Sequence, residues 1–317
     1  MILTITLNPS VDISYKLEAF SIDTVNRVAD VSKTAGGKGL NVSRVAQQLE
    51  EDVAASGFLG GSLGAFIRAE IADQGIHDYF VTIAGETRNC IAVIHEQQQT
   101  EILEAGPTID ENESAEFLNQ FSEDVQKVDY VTISGSLPKG LDKDFYARLV
   151  KIADQHDTPV LLDTKGELLH HTLESDNQPY LIKPNQEELA DLLGEKLTDD
   201  TQIVSALQSQ RFSGVPWVVV TTGANGAVVK HDEQIYDVST PEVDAVNPVG
   251  SGDAVIAGFA AGLSRGLKDE ELVKYALTMG VLNAMEAKTG SINPEKIEWC
   301  MEQIRVESID LDRRTSK

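Results

Sequence analysis

The second half of the chain alternates between short apolar runs and segments of helical length. The apolar runs are at 130–134, 159–163, 180–182 and 217–222; the predicted helices are at 113–127, 143–155, from 186, 252–265, 270–287 and 295–304. Strands separated by helices of 10–15 residues predict βαβ units and a mainly parallel sheet. The sequence therefore predicts an α/β fold.

The first half contains segments that do not follow this rhythm. Strands are predicted at 2–7 and 53–59, and helices at 40–49 and 62–74, whereas 11–17, 25–33 and a hairpin within 79–104 are β-like without intervening helices. We interpret these β segments as a small flap inserted into one domain. The prediction is a single domain over 1–317, with a discontinuous β lid from about 9–33 and 85–105.

The composition limits the partners and the compartment. Lys and Arg total 26 against 51 Asp and Glu, a formal net charge of −25. Such a surface argues against nucleic-acid binding and against attraction to anionic membranes, since both need clustered cations. Two cysteines support neither a disulfide framework nor a zinc cluster. With no basic leader and no long apolar stretch, the sequence favours a cytoplasmic protein.

Small polar residues follow several of the predicted strands. They are Asn8, Ser134-Gly-Ser136, Asp163, Lys183-Pro-Asn185 and Thr221-Thr-Gly223. Parallel sheets bind ligands at the carboxyl ends of their strands. We therefore expect these groups to line one site.

A glycine-rich turn opens into a helix of small apolar residues at 246–262. The backbone N–H groups of Gly250, Ser251 and Gly252 can face an anion there, and Asp253 lies in the first helical turn. An anion hole beside a carboxylate suits phosphoryl transfer to a hydroxyl, with Asp253 orienting the hydroxyl and accepting its proton. The alternative is an ordinary helix start with a dipole-stabilising aspartate.

A second glycine-rich turn, Gly36-Gly-Lys-Gly-Leu-Asn41, also precedes a predicted helix. It resembles a phosphate loop but lacks the spacing Gly-x-x-x-x-Gly-Lys-Ser/Thr. Its glycines either contact a ligand or let the helix approach the sheet closely. Two such turns fit an enzyme in which one serves the acceptor and the other the donor.

Three further candidates each have a structural alternative. Arg88, at the start of the flap hairpin, either forks onto a phosphate or is an ordinary strand-edge arginine. Asn185 and Glu188 either hold waters on Mg²⁺ or form a helix capping box. The turn 221–226 either touches nucleotide phosphates or only joins two β runs.

These motifs, in this order and over nearly the whole chain, resemble the PfkB (ribokinase-like) carbohydrate kinases. The resemblance implies a three-layer α/β/α fold with a mainly parallel central sheet and a small β-sheet lid that often forms a dimer interface. It also implies ATP, Mg²⁺ and transfer to a hydroxyl of a sugar phosphate, with Asp253 as the base.

The resemblance also assigns roles to individual residues. Positions matching the sugar side are Asp12, Gly37, Lys38, Asn41, Arg88 and Ser136, and Arg27 matches a lid position that in some relatives reaches the partner subunit's substrate. Positions matching the nucleotide and metal side are Lys183, Asn185, Glu188, Thr221, Gly223, Gly226 and Asn283. Lys165 departs from the small residue usual in close relatives, and we assign it no role.

Finer features at 7–12, 85–90, 99–107 and 134–140 resemble family members that act on ketohexose phosphates. They imply phosphorylation of tagatose 6-phosphate at the 1-hydroxyl, a step of lactose and galactose breakdown. The alternatives are fructose 1-phosphate as the acceptor, or a sugar-phosphate-binding regulator without catalysis. The helix N-terminus is expected to stabilise the charged form of Asp253 and so to weaken it as a base.

Overall fold

Two β-sheets of unequal size organise the chain, in a computed structural model that describes residues 1–96 and 98–310. The strands in chain order are β1 (Ile2–Thr6), β2 (Ser10–Leu17), β3 (Asp30–Gly36), β4 (Val53–Leu59), β5 (His77–Asp78), β6 (Val81–Thr82), β7 (Arg88–His95), β8 (Gln98–Leu103), β9 (Tyr130–Ser134), β10 (Val160–Asp163), β11 (Leu181–Ile182), β12 (Trp217–Thr221), β13 (Gly226–His231), β14 (Gln234–Ser239) and β15 (Arg305–Ser308). The α-helices are α1 (Lys38–Gln48), α2 (Gly61–Asp73), α3 (Glu111–Asp124), α4 (Phe145–Asp154), α5 (Gly166–Leu173), α6 (Gln186–Leu193), α7 (Asp200–Leu207), α8 (Ser251–Ser264), α9 (Asp269–Ala284) and α10 (Ile297–Gln303).

The large sheet has the strand order β15-β14-β13-β12-β11-β10-β9-β1-β4-β5, with β6 also paired to β4. Pairing is parallel from β12 through β4 to β5 and β6, and antiparallel from β12 to β15. Parallel strands need crossover connections, which the helices supply. The predicted mainly parallel sheet is confirmed.

Helices cover both faces of this sheet. On β1, Ile2 belongs to one buried apolar cluster and Leu3 and Ile5 to the other, because successive strand residues face opposite sides. The first cluster includes buried residues of α1, α2, α8 and α9; the second includes residues of α3 to α7. The fold is thus the expected three-layer α/β/α arrangement.

The small sheet has the order β3-β2-β7-β8. Strands β2 and β7 pair in parallel, while β3 and β8 are antiparallel to their neighbours. The predicted strand at 25–33 is shifted, since β3 begins only at Asp30. Residues before it form a loop in which the Asn26 side chain donates to Ser21 O at 2.7 Å and accepts from Ser21 N at 3.1 Å.

The remaining predicted elements agree with the structure to within a few residues at their ends. The exception is 79–104, where the hairpin occupies only β7 and β8 and the short strand β6 joins the large sheet. In the part of the chain that the structure describes, no helix has both the length and the hydropathy to cross a membrane.

Candidate active site

The polar groups that follow the parallel strands converge at one edge of the large sheet. Strands β12, β11, β10, β9 and β1 are consecutive neighbours, so the segments after them lie side by side. The Gly135 N–H donates to Asp163 O at 3.0 Å, and the Thr221 N–H donates to Pro184 O at 3.1 Å. The expected clustering of these groups is therefore observed.

Asp253 lies at the centre of this edge, in the first turn of α8. Gly250 caps the helix in the left-handed conformation, with φ of 85°, which glycine adopts without strain. The Asp253 side chain is buried, and its Oδ2 accepts a hydrogen bond of 2.7 Å from Asn41 Nδ2 on α1. This contact joins the two glycine-rich turns that the sequence places more than 200 residues apart.

The surroundings of Asp253 make it a stronger base than an ordinary aspartate. Burial, and then the Asp163 carboxylate, raise its pKa from 3.8 to about 6. Lys38, the Asn41 hydrogen bond and Lys183 oppose this rise in its pKa. The net effect is opposite to the weakening expected from the helix N-terminus alone.

Asp163 and two lysines form a charged cluster beside Asp253. The Asp163 carboxylate at the end of β10 is buried, with Lys183 Nζ at 3.4 Å from Oδ1 and Lys38 Nζ at 3.6 Å from Oδ2. Lys183 is buried, whereas the Lys38 side chain is 44% exposed. Asp163 raises the pKa of Lys38, so the half-exposed Lys38 ammonium group stays charged and available for an anionic ligand.

The N-terminus of α8 offers part of the predicted anion hole. The Ser251 N–H is engaged within the loop, donating to Pro248 O at 3.2 Å. Gly252, one residue further, has no intrahelical acceptor for its N–H at this position of a helix. A Cβ on Gly252 would lie 3.0 Å from Lys183 Nζ, so this ammonium group lies directly against the helix start.

At the start of α1 the glycines are required by close packing. A Cβ on Gly36 would lie 2.1 Å from the Asp12 carboxylate, and one on Gly39 would lie 2.2 Å from Thr6 Oγ1. Gly37 has φ of 112° and its Cβ would lie 2.7 Å from Thr6 Cγ2. The alternative interpretation of this turn, close approach of a helix to the sheet, is therefore what the structure shows for its glycines.

Arg88 anchors the base of the small sheet. Its guanidinium donates to Glu104 O at 2.9 Å and to Asn8 O at 3.0 Å. Asp12 on the neighbouring strand has a raised pKa, chiefly through burial, and accepts a 2.7 Å hydrogen bond from Ser10 Oγ. Ligand contacts for Arg88 and Asp12 stay predictions.

Two predicted sugar-side residues lie at the surface. Ser136 is exposed in the loop after β9. Arg27 is exposed in the loop between β2 and β3. Neither position argues against contact with a ligand or a second subunit, and both roles stay predictions.

The predicted nucleotide side shows mostly structural contacts. Asn185 and Glu188 form the capping box of α6: Asn185 Oδ1 accepts from the Glu188 N–H at 2.8 Å, and Glu188 Oε2 accepts from the Asn185 N–H at 3.0 Å. Thr221, Gly223 and Gly226 belong to a tight turn joining β12 to β13, closed by the Thr222 N–H donating to Gly226 O at 2.9 Å. Both structural alternatives are thus present.

Asn283 on α9 lies beneath the anion-hole loop. It is fully buried, donating to Val249 O at 3.0 Å and accepting from the Gly290 N–H at 2.9 Å. Through these hydrogen bonds Asn283 holds the loop before α8 against the segment after α9. Its assignment to the nucleotide side stays a prediction.

The sequence placed Asp163 among the polar groups expected to line the site, but it gave neither Asp163 nor Arg44 a specific chemical role. Asp163 has a recognisable signal, a carboxylate that ends the apolar run Val-Leu-Leu. Arg44 is also recognisable, since it lies among apolar residues in the middle of α1, where an unpaired charge would be costly. The structure buries both residues beside the site.

A sequence model described as the pfkB family carbohydrate kinases matches residues 5–296. The chain belongs to this family. The pfkB fold and the kinase activity predicted from the motifs are therefore confirmed, and the chain is a phosphotransferase that acts on a carbohydrate.

Individual pfkB proteins resemble the chain over almost its full length. A curated tagatose-6-phosphate kinase of Staphylococcus epidermidis is 51% identical over 307 residues, which is 96% of this chain and 99% of the relative. The structure of Escherichia coli phosphofructokinase-2 in complex with potassium superposes with a TM-score of 0.87 at 26% identity, covering 95% and 98% of the two chains. The tetrameric inhibited form of the same enzyme gives 0.85 at 26% identity, with the same coverage.

Proposed function

We propose that this pfkB kinase transfers the γ-phosphoryl group of ATP to the 1-hydroxyl of tagatose 6-phosphate, giving tagatose 1,6-bisphosphate and ADP. The observation that carries the proposal is the buried Asp253 in the first turn of α8, where the charges of Lys38 and Lys183 act on its carboxylate. The 51% identity with a tagatose-6-phosphate kinase supports this choice of acceptor.

Asp253 receives the proton of the acceptor hydroxyl. With a pKa of about 6 it is mostly ionised at neutral pH, yet more basic than a solvated aspartate. The hydroxyl oxygen forms a bond to the γ-phosphorus, and the bond from that phosphorus to the bridging oxygen breaks. The electron pair of the broken bond leaves with ADP.

The cations and the helix N-terminus stabilise the charge that develops during transfer. Lys183 lies against Gly252, so its ammonium group is beside the start of α8. Lys38 reaches the same cluster from α1. Charge on the transferred group is spread over its equatorial oxygens, so donors on several sides act together.

The oxygen donors near α6 fit a hydrated Mg²⁺. The capping box uses Asn185 Oδ1 and Glu188 Oε2, which leaves the second carboxylate oxygen of Glu188 for a metal-bound water. Glu188 also raises the pKa of Lys38, so its charge acts on the site. Bound there, Mg²⁺ would neutralise phosphate charge on the donor. In the described residues no group of three or more His, Cys, Asp and Glu side chains could hold a metal ion.

The acceptor is tested by comparing three sugar phosphates in one assay. ADP release is measured with tagatose 6-phosphate, fructose 6-phosphate and fructose 1-phosphate at equal concentrations. We expect the highest kcat/KM with tagatose 6-phosphate. Higher kcat/KM with fructose 1-phosphate would support the alternative acceptor, and binding without turnover of any of the three would support a regulator.

The small sheet acts as a lid on the single kinase domain, and we propose that it pairs with the lid of a second copy in a homodimer. Its loop and edge expose apolar side chains, among them Ile22 at 88% and Val25 at 72%, together with Ile102 and Leu103. A sheet this small is stable only when its apolar face is covered. Arg27, in the same loop, then reaches the substrate site of the partner.

The dimer is tested by sedimentation at micromolar concentration. Leu103→Asp should dissociate it, whereas Trp299→Asp, which changes an exposed apolar residue on α10, should not. A fully active wild-type monomer would contradict the shared lid. We place the enzyme in the cytoplasm, where ATP and phosphorylated sugars are available.

A further inference from the structure

Arg44 is a buried cation that the proposed mechanism does not use. It lies in the middle of α1 and is 7% exposed. Its Nη1 donates to Ala35 O at 2.6 Å, and its Nη2 donates to Asn41 Oδ1 and, at 3.4 Å, to Thr289 O. A buried guanidinium needs such partners, because the free-energy cost of removing an unpaired charge from water exceeds the gain from packing.

The contact between Arg44 and Asn41 decides which end of the Asn41 amide faces Asp253. Asn41 Oδ1 accepts from the guanidinium, so its Nδ2 points to the Asp253 carboxylate and donates at 2.7 Å. If the amide were reversed, its NH₂ group would face the donors of Arg44, and its oxygen would face a carboxylate. Both contacts would be repulsive, since each would bring like groups together.

Arg44 also connects α1 to the segment that supports the anion hole. A Cβ on Gly290 would lie 3.1 Å from Arg44 Nε and Nη2, so the chain packs directly on the guanidinium. The Gly290 N–H donates to Asn283, which in turn donates to Val249 O. The guanidinium is therefore held from two sides, and it cannot rotate away from Asn41 without disturbing this segment.

We propose that Arg44 is a positioning residue that acts through Asn41, holding its amide so that it donates a hydrogen bond to Asp253. The proposal rests on Asp253 as the base of the proposed reaction. Arg44 itself touches neither Asp253 nor a reacting atom in this arrangement. Its effect is to keep Asp253 oriented and more readily ionised.

Loss of this hydrogen bond raises the pKa of Asp253, because the Asn41 donor stabilises the ionised form. The other charged groups that act on Asp253 are Lys38 on α1, Asp163 at the end of β10 and Lys183 after β11, and the charge of Arg44 also interacts with it directly. Lys38, Asp163 and Lys183 are unchanged in the variants below. Asn41→Ala keeps the Arg44 charge and removes only the hydrogen bond, so the proposal requires the titration midpoint of Asp253 to rise in Asn41→Ala as it does in Arg44→Met.

The experiment follows the titration of Asp253 in the full-length protein, from the ¹³C carboxyl signals of aspartate-labelled samples. The Asp253 signal is assigned as the one absent from Asp253→Asn. In Arg44→Met we expect the titration midpoint to rise by about one pH unit, the size expected when a charged group loses one hydrogen-bond donor. We expect kcat to fall about ten- to a hundredfold, as when an outer residue that orients a functional side chain is removed.

A double-mutant cycle separates a positioning role from a merely structural one. If Arg44 acts through Asn41, Arg44→Met should add little to the loss of kcat already caused by Asn41→Ala. The matched control is Arg68→Met, since Arg68 on α2 is partly buried and likewise donates to a backbone oxygen and a side chain, Phe80 O and Thr82 Oγ1, both at 3.0 Å. It should leave the titration of Asp253 unchanged.

Arg44→Gln, whose side chain is two bonds shorter, takes the place of Arg44→Met if that variant does not fold. An unchanged Asp253 titration in a folded Arg44 variant, or fully additive losses in the cycle, would overturn the proposal. The titration needs no acceptor sugar. A shifted titration in a protein that turns over no ketohexose phosphate would therefore refute the proposed function and leave the role of Arg44 standing.

Discussion

The two glycine-rich turns look alike in sequence but differ in what their glycines do. At α1, side chains on Gly37 or Gly39 would collide with the end of β1, including the backbone oxygen of Ile5 at 2.5 Å. At α8, Gly250 supplies a left-handed capping conformation and its Cβ would lie 2.7 Å from Thr289 Cγ2, whereas a side chain on Gly252 would meet only the end of Lys183. Gly39 in the first turn is therefore fixed by backbone packing, whereas Gly252 in the second turn faces only a flexible cationic side chain.

The difference teaches that glycines before a helix are not by themselves evidence of a phosphate loop. What distinguishes the two turns is the chemistry beside them. The α8 turn has an ionisable base in its first turn, whereas the first turn of α1 contains no acidic residue and contributes Lys38 and Asn41 to that base. The helix starts are therefore complementary parts of one site.

The largest expected effect is on catalysis. It compares the group that each turn contributes to the site, Asp253 from α8 and Lys38 from α1. Asp253→Asn should lower kcat by about 10²–10⁴-fold, the usual contribution of a general base. Lys38→Met should lower kcat/KM by roughly 10–100-fold, since it removes one charged contact. Steady-state kinetics measures both, and circular dichroism checks that each variant is folded. If the Asp253→Asn enzyme keeps most of its kcat, Asp253 on α8 is not the general base.

The next prediction tests the different demands on the glycines. Gly39→Ala should lower the free energy of unfolding by about 1–3 kcal/mol or more, because its Cβ meets backbone that cannot move aside. Gly252→Ala should change stability little, since only the end of Lys183 must shift. Gly252→Ala should nevertheless lower kcat by roughly 10–100-fold, because the ammonium group of Lys183 would be displaced.

Denaturant unfolding and turnover, measured on both alanine variants, provide the check. Equal loss of stability in the two variants would mean that both turns are shaped by packing. A stable Gly39→Ala enzyme would show that α1 can withdraw from β1. Either result would contradict the claim that backbone packing requires glycine at Gly39 but not at Gly252.

Much of the fold follows from local patterns in the sequence. Apolar runs such as 130–134, separated by helices, predict the parallel sheet because each βαβ unit buries a strand on both faces. The boundaries of β3 were less predictable. The loop before it is held by the Asn26 contacts to Ser21, which a pattern of apolar residues does not encode.

The site was predictable as a set of residues but not as a set of contacts. The motifs bring Asp253, Asn41 and Lys38 into consideration, yet the direction of the Asp253 pKa depends on burial and on Asp163 across the sheet edge. Sequence spacing gives no measure of either. The same holds for Arg44, whose role depends on which end of the Asn41 amide, one turn away on α1, it contacts.

The last expected effect concerns the free energy of unfolding, which the ionised Asp253 at the start of α8 lowers. A raised pKa means that the folded state holds its proton more tightly than the unfolded chain does, so ionisation of Asp253 destabilises the fold. Stability is unaffected below the unfolded pKa near 3.8 and is lost as pH rises through about 6. The shift corresponds to at most about 3 kcal/mol at neutral pH.

Asp253→Asn removes this ionisation while keeping an oxygen that can accept from Asn41. The variant should therefore be more stable than the wild type at pH 7 to 8, and the difference should vanish as the pH falls towards 4. Thermal unfolding across this range measures it, with Asp244→Asn, an exposed aspartate before the same helix, as the control. If Asp253→Asn is no more stable than the wild type at neutral pH, burial does not act on this carboxylate. The start of α8 would then differ from the start of α1 in packing but not in the destabilisation caused by a buried charge.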